Sequence, residues 1–187
     1  MEAGDAPKGS VSQHLLAGLE TGVVAALAML VWLGVSELWY RKTFWNTPNL
    51  LAATFYGESA LRNRFTVHTF SGLALFFLIY GSLGMLFGLV MQDRRRSLRL
   101  TCIGILSALA WYYLVFGWAG KNWDPLLVLY TNDRPMFAGH VLYGLLLGRY
   151  SRNLAGLRQE KTEAALDVSA APLADPFSAS GDLEVKD

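Results

Sequence analysis

An all-α integral membrane four-helix bundle, built from two similar hairpins, follows from three observations. The chain is 53% hydrophobic and 17% charged, with mean hydropathy +0.30, whereas soluble domains are about a quarter charged. Its apolar residues gather into four runs rather than spreading along the chain, the pattern of membrane spans. One motif also occurs twice. It reads Trp32, Trp39, Trp45, Pro48, Leu50-Leu51, Tyr56, His68 and Gly72, then Trp111, Trp118, Trp123, Pro125, Leu126-Leu127, Tyr130, His140 and Gly144. All six tryptophans fall in these two triplets. Two hairpins of equal orientation would be parallel repeats, related by an axis along the membrane normal.

A polar segment, 1–14, precedes the first span. It is no signal peptide, because the apolar run after it continues past Ala26-Leu27-Ala28 and reads as retained. Span one is expected at about 15–40. Glu20 and Glu37 lie near its ends, avoiding the cost of about 2.5–3.5 kcal/mol for a charge at the centre. Gly18, Gly22 and Ala26 form a small-xxx-small face, which lets a neighbouring helix approach closely.

The first connection contains Thr47-Pro48, a helix start with Thr as N-cap and Pro at the first helical position. The following Leu50, Leu51, Thr54, Phe55 and Glu58 fit an interfacial amphipathic helix, and an irregular loop with aromatic anchors is the alternative. Span two, about 69–91, is free of charge and carries Gly81, Gly84 and Gly88. A short loop with Arg94, Arg95, Arg96 and Arg99 leads to span three, about 100–118, where Gly104 and Ala108 repeat the small spacing. Cys102, the lone cysteine, reads as a small buried apolar residue. Asp124-Pro125 repeats the capped start in the second connection.

Span four, about 136–150, is short for the roughly 20 residues a crossing needs. Either it extends past Arg149 and Arg152 with those side chains snorkelling, or the Leu126 segment dips into the bilayer. The four-span bundle thus covers 15–158. The segment 159–187, rich in Ala, Ser, Asp and Glu, is expected to be a disordered acidic tail. The repeat is imperfect, since Glu37 aligns with Phe116 and the two connections differ in length.

Arginines concentrate in the central loop and after Tyr150, which places both termini on the cytoplasmic side of the membrane. Net charge is +1, giving no basic field for nucleic acid. One cysteine excludes a Cys cluster for zinc, and no metal site is expected.

Candidate site residues lie on the outer side: Glu37, Trp45, Glu58, His68, Trp123, Asp124 and His140 could line a polar pocket. His68 and His140 begin their spans at matching positions. One alternative makes them axial ligands of a haem b, with Gly72 and Gly144 giving room, and another makes them structural. No nucleophile triad, phosphate loop or zinc helix motif occurs, so no catalytic residue is assigned. An uncharged bundle centre argues against an ion-coupled transporter.

Met136-Phe137-Ala138-Gly139-His140, followed by an apolar turn and by Arg149 and Arg152, resembles the last span of the YagU-like bacterial inner-membrane proteins. Val67-His68-Thr69-Phe70 is similar to their middle span. The resemblance implies a small helical membrane bundle and carries over no catalytic residue. Three functional classes follow from the whole sequence. The first is a non-enzymatic subunit, assembly or accessory factor that meets the lipid bilayer and protein partners or copies of itself. The second is a bis-His electron carrier. The third is a small-molecule binder or transporter with an outer pocket.

The arginine bias generates a topology test. A cysteine at Ser97 should be shielded from an impermeant thiol reagent in intact cells, and one at Asn122 should be labelled. The reverse pattern rejects the orientation.

Overall fold

A computed structural model describes residues 11–61, 64–91, 98–123 and 125–170. These residues are helical throughout, with turns between. Helix α1 spans Val11–Trp39, α2 Asn46–Tyr56, α3 Val67–Val90 and α4 Leu98–Tyr112. A π-helical stretch, Tyr113–Ala119, prolongs α4 and leads into α5 (Gly120–Trp123). Then come α6 (Pro125–Tyr130), α7 (Asp133–Leu147) and α8 (Tyr150–Ala170). Three helices are long and apolar enough to cross a membrane: α1, α3, and α4 with its π extension to Trp118.

Burial supports a membrane-embedded chain. Helix α1 turns its small residues inward, with Ala17, Gly18, Gly22, Ala25 and Ala26 all buried. It turns Leu16, Val24, Leu27, Val31 and Val35 outward, about half exposed each. Water would oppose that arrangement, whereas lipid accepts large apolar groups and rewards close backbone contact.

The helices meet at glycines. A Cβ on Gly84 would lie 2.5 Å from the Gly18 carbonyl oxygen and 2.5 Å from the Gly22 Cα. One on Gly88 would meet the His14 carbonyl oxygen at 2.5 Å. Helices α1 and α3 therefore run antiparallel, backbone to backbone. Helices α4 and α7 do the same through Gly104 and Gly144. Helix α7 also lies along α1, with Gly139 against Met29 and Leu33 and the Trp32 indole N–H donating to the Pro135 carbonyl at 3.0 Å. Helices α3 and α4, by contrast, share no extended face among the described residues.

Helix α2 packs on α3 so that Gly72 faces the Pro48 carbonyl directly. A helix is present at Thr47-Pro48, but it begins at Asn46 with Trp45 as N-cap, so Thr47 lies inside the first turn rather than capping it, and Pro48 is its third residue. Gly72 and Gly144, equivalent in the sequence motif, thus have different neighbours: a connecting helix for one and α4 for the other.

Two boundaries and one burial differ from expectation. Asp133–Leu147 begins before the expected 136 and is followed after a short turn by α8, whose Tyr150 is fully buried. Residues 159–170, expected in the tail, are helical in α8, and 171–187 lie outside the described residues. Cys102 is exposed on α4 rather than buried, because Gly104 and Ala108 occupy the face turned to the other helices.

Gly84→Leu and Gly144→Leu should each destabilise the protein by about 1–3 kcal/mol or more through overpacking. Gly117→Ala, where nothing lies within 4 Å, should not. Thermal melting of the three variants in detergent checks the contrast.

Candidate functional site

Two ends of the bundle serve as landmarks: the α2 end, where α1 finishes and α3 and α7 begin, and the α8 end opposite. Polar contacts between helices lie at three depths between them.

At the α2 end, α1 closes with Arg41 in the left-handed region at φ 59°. Arg41 N–H donates to the Leu38 carbonyl at 3.0 Å, and Lys42 N–H to the Glu37 carbonyl at 2.9 Å. This is a Schellman cap, and it folds Lys42 back over the buried Glu37 side chain. The Lys42 ammonium lies 3.7 Å from Glu37 Oε2 and donates to the Tyr130 carbonyl at 3.0 Å. Asn132 Nδ2 donates to the same carboxylate oxygen at 3.4 Å. Nearby, buried Thr69 donates its hydroxyl to Asn49 Oδ1 at 2.7 Å, fastening α2 to α3.

In the middle lies His140, fully buried. Its Nδ1 is 2.9 Å from the Met136 carbonyl, which can only accept, so Nδ1 carries the proton. Its Nε2, 3.0 Å from the Tyr80 phenol, then accepts from Tyr80 O–H. Tyr143 O–H donates to the Tyr80 backbone carbonyl at 2.6 Å. Tyr112 packs edge-on to the imidazole, ring centres 5.2 Å apart. Residues of α3, α4 and α7 thus form one crosswise layer.

Toward the α8 end, Tyr150 O–H donates to the Gly88 carbonyl at 3.0 Å, and its oxygen lies 2.6 Å from His14 Nδ1. Asn153 Nδ2 donates to Thr21 Oγ1 at 3.0 Å. The first turn of α8 is thereby tied to both α1 and α3.

Where α3 and α4 part, a cleft of about 540 Å³ opens laterally. Leu83, Leu86 and Val90 of α3 form one wall, and Ala110 and Trp111 of α4 with Leu114 of its π-helical extension the other. Tyr80, His140 and Tyr143 form its floor. A smaller cavity of about 50 Å³ lies beyond Tyr80, under Thr47 and Leu51 of α2. Helix α2 therefore fills the gap at one end and leaves it open from mid-depth to the other.

The described residues of the expected outer pocket have separate partners. Glu37 is engaged by Lys42 and Asn132 rather than by a histidine. Trp45 meets Phe44 and Phe65 edge to face, and Glu58 is exposed on a short 3-10 helix, Gly57–Ala60, after α2. His68 lies over the Tyr56 ring, centres 4.4 Å apart. His140 is bonded instead to Tyr80, 12 residues past His68 on α3 and so about 18 Å further along its axis. The two histidines sit at different depths, and the shared-depth geometry expected of a bis-His haem pair is not what the structure has. Asp124 and the side chain of Trp123 lie outside the described residues. No group of three or more potential metal ligands occurs among the described residues.

Tyr80 and Tyr143 do not stand out in the sequence beside its histidines and charges. Their signal is their position, since a phenol in mid-span rather than at the headgroup level has to find a partner inside the protein. No family model matches the chain, and no curated protein or solved structure matches it.

His140→Ala should lower stability by about 1–3 kcal/mol, because it orphans the Tyr80 hydroxyl. His68→Ala, which loses only a ring contact, should cost clearly less. Melting of the two variants side by side in detergent measures the difference.

Proposed function

We propose that the chain is a non-enzymatic, four-span accessory protein of the bacterial inner membrane that holds the hydrocarbon part of a lipid-like molecule in the α3–α4 cleft. Helices α1, α3 and α4 supply three crossings, and α7 with the first turn of α8 supplies the fourth. Both termini face the cytoplasm by the arginine bias. The carrying observation is the lateral apolar cleft. From Tyr80 to Met91, just past the end of α3, it follows 11 residue steps, about 16 Å of helix, which is close to half of a hydrocarbon core about 30 Å thick. A crossing helix from another protein would need the full thickness, and α2 already fills the remaining half. One leaflet's worth of acyl or isoprenoid chain fits the depth that is open. The volume also lies in the range of small-molecule sites, about 300–1,000 Å³.

The floor favours holding over chemistry. Both nitrogens of His140 and the Tyr80 hydroxyl are already bonded, so no free base or acid faces the cleft from that layer. The accessory role follows from this inert floor together with the absence of catalytic spacing in the sequence.

Filling the cleft tests the reading. Parent protein purified in mild detergent should retain a solvent-extractable, lipid-like molecule. Ala110→Trp, on the exposed side of α4, should lose most of it while melting as the parent does. Equal extracts from both proteins reject the proposal.

A further inference from the structure

On the other side of α7 from the cleft, a recess of about 250 Å³ lies at the α8 end, between α1 and the α7–α8 junction. Its chemistry is graded. Glu20, Arg149, Arg152 and Asn153 stand at one end. Val24 lies four residues further along α1, about 6 Å deeper, and Leu146 about 4.5 Å deeper along α7. Polar groups thus meet the headgroup level and apolar groups the hydrocarbon.

The recess holds both signs of charge. Arg149 and Arg152 are three residues apart, Glu20 projects from the facing helix, and all three are exposed. Among the described residues, Glu20 forms no ion pair with either arginine. The wall behind them is fixed, because Asn153 donates to Thr21 at 3.0 Å and Thr21 donates to the Ala17 carbonyl at 2.7 Å.

We infer that this recess is a binding site for a zwitterionic phospholipid headgroup that carries a phosphate and a primary amine. Guanidinium groups match phosphate oxygens in charge and in planar donor geometry. A carboxylate held apart from them matches a primary ammonium, whose three N–H donors need an acceptor. A purely anionic headgroup would gain from the arginines and be repelled by Glu20. A quaternary amine would keep its charge but offer Glu20 no N–H. One acyl chain would then descend along Val24 and Leu146. This site is separate from the α3–α4 cleft and does not depend on what the cleft holds.

The test uses full-length protein reconstituted in vesicles of equal parts phosphatidylethanolamine, phosphatidylcholine and phosphatidylglycerol. After detergent extraction, the lipids retained are counted by native mass spectrometry. The parent should retain phosphatidylethanolamine over each of the others by roughly two- to fivefold, the size of one exposed ion pair. Glu20→Gln should abolish that preference while lipid is still retained. Arg149→Gln combined with Arg152→Gln should reduce retention of all three lipids. Ala110→Trp should leave the preference as in the parent. Equal retention of the three lipids by the parent overturns the inference, and so does an undiminished preference in Glu20→Gln. If the double arginine variant does not fold, Glu20→Gln alone decides.

Discussion

Everything else in this structure depends on how closely α1 and α3 approach. In lipid, a leucine facing a neighbouring helix gains little over a leucine facing an acyl chain, so association must come from tight packing and hydrogen bonds. Gly18, Gly22, Gly84 and Gly88 let two backbones touch along about two turns. That contact sets the register: the His14 carbonyl comes against Gly88, and the Gly88 carbonyl is left for the Tyr150 hydroxyl. The start of α8 is thereby held against α1 and α3, which extends the short α7 by another turn of packed chain.

The same geometry explains the asymmetry between the hairpins. Helix α7 packs on both α1 and α4, while α3 is committed to α1 on one side and to α2 near its start. Nothing remains to draw α3 onto α4 except the layer of Tyr80, His140 and Tyr143. That layer joins α3 to α7 at mid-depth through phenol and imidazole groups long enough to reach across a gap that backbones do not close. The cleft is what is left below it. A strict parallel repeat would have repeated the α1–α7 face between α4 and α3.

Much of this was legible in the sequence, for identifiable reasons. The small-residue spacings located the contacting faces of α1, α3 and α4, because in a membrane helix little else distinguishes one face from another. Thr47-Pro48 located α2. The paired histidines match in sequence but not in surroundings, with Tyr56 beside His68 and Tyr80 bonded to His140, because a repeated motif need not keep its neighbours. Phe116, opposite Glu37 in the repeat, belongs to the π-helical stretch, which has no counterpart in α1. A π-helix has no composition signal in Tyr113–Ala119, and it changes which residues face inward. The contact between Lys42 and Glu37 was equally hidden, since it needs a left-handed Arg41 where a glycine would be usual.

The polar groups inside the bundle also limit what chemistry it can perform. A histidine in a low-dielectric interior is a strong candidate for proton transfer only if one of its nitrogens faces a substrate or water. Here the i−4 carbonyl of Met136 takes one nitrogen and Tyr80 the other. The ring is enclosed by Tyr112 and Phe116 as well. Each bond that makes His140 affordable in the membrane also removes it from reactivity. Glu20, Arg149 and Arg152, without an ion pair among the described residues, are exposed at the α8 end instead. On the inference drawn above, recognition belongs to that end, and the bonded interior holds shape.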